Sequence, residues 1–284
     1  MSQRRRRFCF GEHSVNGKLV IIGTPIGNLA DFSPRAIEAL VAADLILCED
    51  TRRTRKLLTH FRIEKPVQSF HEHNEDEKSS RIIDKILEGQ VVALVSDAGM
   101  PVVSDPGFRL VRMARERGVV VEPVPGPFAG VMALAASGIA PSPFTFFGFA
   151  PHREGERLDF YRRVAATGHT AIVYESPERA IDSLKNALAM LGDVEVSVAR
   201  EMTKMHEEFV NGRISEVLAK LKPRGEITIV FAAAEEKRPD VSRDELIREF
   251  DQLRGGGMRR NDAVKVIAEK YGLRKNQIYK LLLE

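Results

Sequence analysis

The chain has 284 residues, 43% of them hydrophobic and 29% charged, with two cysteines and no tryptophan. Collagen-like, disulfide-scaffold and disordered classes are excluded, and the length suits two hydrophobic cores. The net charge of +3 is segregated: four arginines against Glu12 leave +3 over residues 1–17, twelve Lys/Arg against eight Asp/Glu leave +4 over residues 237–284, and residues 18–236 carry −4.

Basic ends on a mildly acidic body suit a polyanionic partner, because clustered Lys and Arg release counterions from phosphate. Cys9 and Cys48 match no disulfide or metal-ligand spacing, so a reducing cytoplasm is expected and a metal is not. No apolar run follows residues 4–7, which speaks against a secretory signal. Residues 123–151 are uncharged, but their prolines and small residues predict loop, a short buried helix and an interdomain crossing rather than a membrane span.

From residue 18 the pattern alternates strand and helix. Strands are expected at 18–23, 45–48, 67–70, 91–95 and 119–122. Helices are expected at 33–41, with Ser33 as cap and Pro34 in the first turn, at 51–59, at 75–88 and from 108 to 117. This rhythm predicts a mostly parallel sheet covered on both sides. After a linker at 148–153 come a helix at 155–166, a strand at 170–174, a helix opening at 176, a strand at 194–199, a hairpin around Asn211-Gly212, a helix at 214–221 and a strand at 227–231. The expected organisation is a basic extension over 1–17, an α/β domain over 18–148, a second over 149–236 and a basic helical domain over 237–284. In that last part the spacing of Ala263, Gly272 and Ile278 is that of a helix-turn-helix, with Arg274 and Lys275 opening its second helix.

Kinase P-loop, zinc-protease, nucleophile-elbow and dinucleotide signatures are absent. Three loops instead follow predicted strands, at the edge where open α/β sheets bind ligands: G-T-P-I-G-N at 23–28, S-D-A-G-M-P-V-V-S-D-P-G at 96–107 and P-V-P-G-P-F at 123–128. The second is longer than a connection needs. Two polar clusters, E-D-T-R-R-T at 49–54 and F-H-E-H-N-E at 70–75, should lie on the same edge. His71, Glu72 and His73 make a poor metal site, because alternate residues of an extended segment point apart.

These motifs, with Y-E-S-P at 174–177 and A-R-E-M-T-K at 199–204, resemble the tetrapyrrole-methylase superfamily, and within it the branch that modifies ribosomal RNA. The resemblance spans roughly residues 18–232. It implies two α/β domains with S-adenosylmethionine in the cleft between them, and a homodimer. It also implies 2′-O-methylation of a cytidine ribose in the decoding centre of 16S ribosomal RNA, within the small subunit. The long loop carries over as the cofactor loop through Ser96, Asp97, Ala98, Val102, Val103 and Ser104, with Pro25, Phe128, Tyr174 and Glu175 closing the site. The residues expected to take the 2′-hydroxyl proton are Glu72, Glu201, Asp50 and His71, with Glu72 or Glu201 favoured. Arg52, Arg53 and Lys204, with Arg274 and Lys275, are expected on RNA. Alternatives are methylation of a tetrapyrrole or other small molecule, and a non-catalytic nucleic-acid-binding ligand sensor.

Overall fold

The computed structural model describes residues 17–72, 74–234 and 243–271, together with residues 278, 279 and 282. The arginines at 4–7, the expected boundary at 235–241, and Arg274 and Lys275 lie outside the described residues.

The first sheet contains β1 (Lys18–Ile22), β2 (Leu45–Cys48), β3 (Val67–Ser69), β4 (Val91–Val95) and β5 (Val120–Val124), in the order β3-β2-β4-β1-β5. All its pairings are parallel. Its central strands read as unbroken apolar runs because both faces are covered. On one face Leu19, Leu47 and Leu94 meet Ile82, Ile83 and Ile86 of α3 (Glu75–Leu87) and Leu110 of α4 (Phe108–Glu116). On the other, Val20, Ile46 and Ala93 meet Leu40 of α1 (Pro34–Ala42) and Leu58 of α2 (Thr51–His60). Ser33 caps α1 as expected, its side chain accepting from the Ala36 N–H.

The second sheet contains β6 (Phe144–Phe149), β7 (Thr170–Glu175), β8 (Glu195–Arg200), β9 (Glu208–Arg213) and β10 (Ile227–Phe231), in the order β6-β7-β10-β8-β9. Only β6–β7 is parallel among its pairings. One face packs Val173 and Phe231 against Tyr161 of α6 (Glu154–Thr167), Leu184 of α7 (Ala180–Leu191) and Val217 of α8 (Ile214–Lys220). The opposite face packs Ile172, Ala199 and Val230 against Ala133 and Leu134 of α5 (Ala129–Ser137). That helix follows the last strand of the first sheet yet covers the second, so one element belongs to both halves.

Three local readings change. Strand β6 falls within the stretch expected as loop and crossing, and the linker expected at 148–153 overlaps its end. Gly148 at φ +69° and a register shift between Phe146 and Phe149 break the alternation that would have revealed it. The hairpin turn lies at residues 201–207, not at Asn211-Gly212, which sits inside β9 with Gly212 opposite Val196. An Asn-Gly pair marks a hairpin only when strands flank both sides, and here α8 begins at Ile214. Helix α7 starts at Ala180, after a turn over 177–179.

Residues 235–284 form a separate compact unit. There α9 (Arg243–Gly255) and α10 (Arg260–Tyr271) share a small core of Leu246, Val264, Ile267, Ala268 and Ile278. The residues that would open a recognition helix, 272–277, lie outside the described residues.

One buried carboxylate ties the first sheet's helices to its loops. Gly107 precedes α4 and has no side chain to cap it, and Glu75 does so instead: its Oε1 accepts from the Arg109 N–H at 2.8 Å and the Leu110 N–H at 3.2 Å. Glu75 is 4% exposed. Replacing it by alanine leaves two helix-end donors unmet, so Glu75→Ala should lower unfolding free energy by about 2–3 kcal/mol in a urea titration, with Glu75→Gln losing less.

Candidate active site

The loops after β1, β4 and β5 are fastened to one another. Thr24 and Gly99 exchange backbone hydrogen bonds at 2.9 and 3.0 Å, the Thr24 hydroxyl donates to the Ser96 carbonyl at 3.2 Å, and the Ser96 hydroxyl donates to the Gly99 carbonyl at 2.7 Å. Gly23 and Gly126 touch backbone to backbone: a Cβ on Gly126 would lie 2.5 Å from the Gly23 Cα. The long loop is strained. Val102 at φ +75° and Ser104 at φ +65° both occupy the left-handed region, a conformation non-glycine residues hold only where surroundings impose it, and one that clusters at functional sites.

This strained loop forms one wall of a cavity of about 380 Å³, a size suited to a small organic ligand. Asp97, Ala98, Val103, Ser104, Phe128, Tyr174 and Glu175 line it, whereas Pro25 and Ser96 line an adjoining cavity. Val102 packs into the core behind the loop. An aromatic chain runs along the wall: Phe128, Phe146, Tyr174 and Phe149 follow one another edge to face, with centroids 5.0, 5.0 and 5.3 Å apart. The Tyr174 hydroxyl accepts from the Gly130 N–H at 3.2 Å, which fixes the second sheet to the start of α5.

Sequence reasoning did not single out Asp105, Phe149, Ser176, Met202 or residues 225–228, all of which line the cavity. Residues 225–228 stand at the beginning of β10. They reach the site because β10 runs antiparallel to β7, and a search of strand carboxyl ends passes over them. Asp105 and Met202 lay within motifs already noted.

The lining is acidic. Asp97, Asp105, Glu175 and Glu226 face the cavity, and no Lys, Arg or His does so among the described residues. Burial first, then the charges of Glu49 and Asp97, push the Asp105 carboxyl up to about 7. Burial likewise raises the Tyr174 phenol to about 12. Glu175 gives one oxygen to Arg179 at 2.7 Å, while its Oε2 and the Ser176 Oγ are buried with no hydrogen-bond partner. Apolar walls, buried acceptors without partners and negative charge fit S-adenosylmethionine, which joins an aromatic base and hydroxyls to a sulfonium cation. A phosphate-bearing cofactor would be repelled.

The residues expected to take a proton lie off both cavities. Asp50 caps α2, accepting from the Arg52 N–H at 2.8 Å, and its hydrogen bond with the Arg52 guanidinium draws its carboxyl down to about 2. Glu72 is exposed in the turn after β3, where the Asn74 side chain holds the neighbouring His71 ring at 2.7 Å. Glu201 stands behind Gly225 and Glu226. Its Oε1 accepts from the Lys204 ammonium at 2.9 Å and the Glu226 N–H at 3.0 Å, which lowers its pKa.

The adjoining cavity, about 300 Å³, has the opposite character, with Arg53, Lys56 and Lys204 in its lining. The two share Ile26, Asp97, Ala98 and Glu226. Asp97 is the joint: its Oδ1 accepts from the Asp50 N–H at 3.1 Å and its Oδ2 lies 3.6 Å from Arg53. Arg52 is exposed beside it, paired with Asp50.

Among the described residues no cluster of His, Cys, Asp and Glu could hold a metal, and no helix is long and apolar enough to cross a membrane. Residues 18–218 match the family model of the Tetrapyrrole (Corrin/Porphyrin) Methylases. The chain is 47% identical over 222 residues to the ribosomal RNA small subunit methyltransferase I of Thermotoga maritima, covering 77% of this chain and all of that one. It is 41% identical over 274 residues to the protein of the same name from Escherichia coli O157:H7, covering 94% and 95% of the two. Among solved structures, diphthine synthase superposes with a TM-score of 0.60 at 17% identity over 75% of this chain and 89% of that one. A cobalt precorrin-4 methyltransferase gives 0.55 at 20% identity, over 79% and 98%. These two likenesses concern the fold alone.

The Gly23–Gly126 contact has no flexible side chain to yield. Gly126→Ala should push the first and third loops apart and weaken S-adenosylmethionine binding about tenfold or more, as measured by calorimetry.

Proposed function

The chain belongs to the tetrapyrrole methylase family, and from that membership we propose that it is an S-adenosylmethionine-dependent methyltransferase of ribosomal RNA. Its target is the ribose 2′-oxygen of a cytidine in the decoding centre of 16S RNA. The observation that carries this reading is the pairing of two adjoining cavities, one acidic and one containing three cations. A cationic methyl donor belongs in the first and the phosphodiesters of a polyanion along the second. The Thermotoga and Escherichia relatives, whose names specify small-subunit ribosomal RNA, support the same choice.

S-adenosylmethionine, when bound, supplies an electrophilic sulfonium methyl. Asp97, Ala98, Val103 and Ser104 of the long loop would hold it with Phe128, Tyr174 and Glu175, while Pro25 and Ser96 brace the loops from the adjoining cavity and Val102 anchors the strained segment. Arg53 and Lys204, with exposed Arg52, face the RNA backbone. Holding a ribose 2′-oxygen in line supplies much of the acceleration. The remaining task is to remove its proton, and of the cavity carboxylates Asp105 is the one whose environment raises it to about 7, the range in which a general base works best. Asp105 therefore takes the place that the sequence had offered to Asp50, His71, Glu72 or Glu201. The reading includes a cytoplasmic homodimer; exposed Phe108 and Val120, the latter on edge strand β5, support self-association.

Mass-spectrometric mapping of ribose methylation in small subunits, after incubation with protein and S-adenosylmethionine, tests this function; incorporation into small molecules instead would refute it. Since Asp105 must be ionised to accept a proton, kcat/KM for S-adenosylmethionine should rise with pH through about 7 and level off above it, and the limb in kcat should lie at lower pH because the bound cation favours the carboxylate. Asp105→Asn should abolish that limb and lose about 10²–10⁴-fold in kcat. Removing residues 237–284 should weaken binding to small subunits more than to S-adenosylmethionine, and flatten its salt dependence. Equal loss of both would assign those helices a folding role.

A further inference from the structure

Phe149 is a large apolar side chain 59% exposed at the mouth of the cavity. Solvating that ring costs free energy that a buried position would recover. The local backbone is built to keep it there. Gly148 adopts φ +69°, the register of β6 against β7 shifts between Phe146 and Phe149, and a Cβ at residue 148 would come within 3.1 Å of the Ser104 hydroxyl. The bulge presses the strand against the strained loop and turns the next side chain toward the cavity rim. Because β6 is the edge strand of its sheet, this rim lies beside the cavity floor formed by β7 and β10. The ring is held on one side by Tyr174, edge to face at 5.3 Å. Asp105, which lines the cavity, follows Ser104 directly in the chain.

We propose that Phe149 is the stacking platform for the base of the target nucleotide, positioning its ribose beside Asp105. The proposal rests on the RNA reading above. A nucleotide of a folded RNA brings its ribose 2′-hydroxyl down into a recessed cavity by leaving its stack, and an aromatic face replaces the stacking that its base loses. Stacking of this kind tolerates any base, so Phe149 positions the nucleotide and does not select cytosine.

The test uses the full-length protein, small ribosomal subunits lacking the modification, and the variants Phe149→Ala, Phe149→Leu and Phe149→Tyr. Leucine keeps apolar bulk without a π face and tyrosine keeps the face. The expected result is a loss of roughly ten- to a hundredfold in kcat/KM for subunits with Ala and Leu, and Tyr within about threefold of wild type. Each variant should unfold in a single cooperative thermal transition, which reports that it folds, and the loss in transfer to subunits at saturating S-adenosylmethionine should exceed any change in the cofactor's affinity. A leucine variant as active as wild type overturns the proposal, because the ring is then only an apolar wall. Cofactor affinity falling in step with transfer also overturns it, because the ring then belongs to the donor's site. In both cases an active wild type leaves the RNA function standing, whereas a wild-type protein inert toward subunits removes that function and this proposal together.

Discussion

The structure depends on the adjacency of three parallel strands. Because β1 lies between β4 and β5, the loops that follow these strands leave the sheet at one edge and side by side. Each then needs a reason not to collide with the next. Glycine at 23 and 126 removes the side chains at the tightest approach, and the Thr24–Gly99 bridge fixes the spacing. With its first residues pinned, the long loop must turn back through Val102 and Ser104 in a conformation that costs about 1–3 kcal/mol at each residue. It is recovered at the far end by α4, whose first N–H groups are anchored by buried Glu75. The strain is thus held between two fixed points, with Val103, Ser104 and Asp105 facing the cavity and Val102 the core behind.

The same crowding organises charge. Asp97, Asp105 and Glu49 are close enough to raise the Asp105 carboxyl, while Asp97 turns its other interactions toward the Asp50 N–H and Arg53. A positive ligand in such a cavity favours the ionised form of a neighbouring carboxylate. Binding of a sulfonium cation and readiness of Asp105 to accept a proton are consequently linked. The cations of the adjoining cavity pair with carboxylates, Lys204 with Glu201 and Glu226 and Arg53 with Asp97, and Asp97 and Glu226 line both cavities. Glu201, a candidate base by type and motif, holds the Lys204 ammonium at 2.9 Å.

What the sequence disclosed follows from which interactions are local. The parallel sheet of the first half was legible because buried strands such as V-V-A-L-V and caps such as Ser33 leave marks within a few residues. The long loop was legible because its twelve residues, with two aspartates, two glycines and two prolines among them, are more than a connection needs. Strand β6 was hidden because Gly148 and the bulge break its period. Residues 225–228 were hidden because their place in the site depends on an antiparallel pairing with β7, which no local pattern announces. Asp50 and Glu72 read as candidate bases from type and placement at the expected sheet edge, and neither lines either cavity. The geometry gives the one to a helix cap and the other to an exposed turn.

The two halves are joined by packing that leaves little room for one to move without the other. Helix α5 grows out of the third loop, covers Ile172, Ala199 and Val230 of the second sheet, and receives the Tyr174 hydroxyl at its first turn. The aromatic chain from Phe128 through Phe146 and Tyr174 to Phe149 extends that contact to the cavity rim. A wall of edge-to-face rings in a close-packed core shifts by discrete repacking and not by gradual bending. The cavity is accordingly preformed, with its donor-binding floor fixed before substrate arrives. The conformational work of the reaction then falls on the RNA, whose target nucleotide must leave its stack to reach Phe149 and Asp105. That division explains why a rigid site carries an exposed ring: what the protein cannot supply by closing over its substrate, it supplies by offering a surface on which the displaced base can rest.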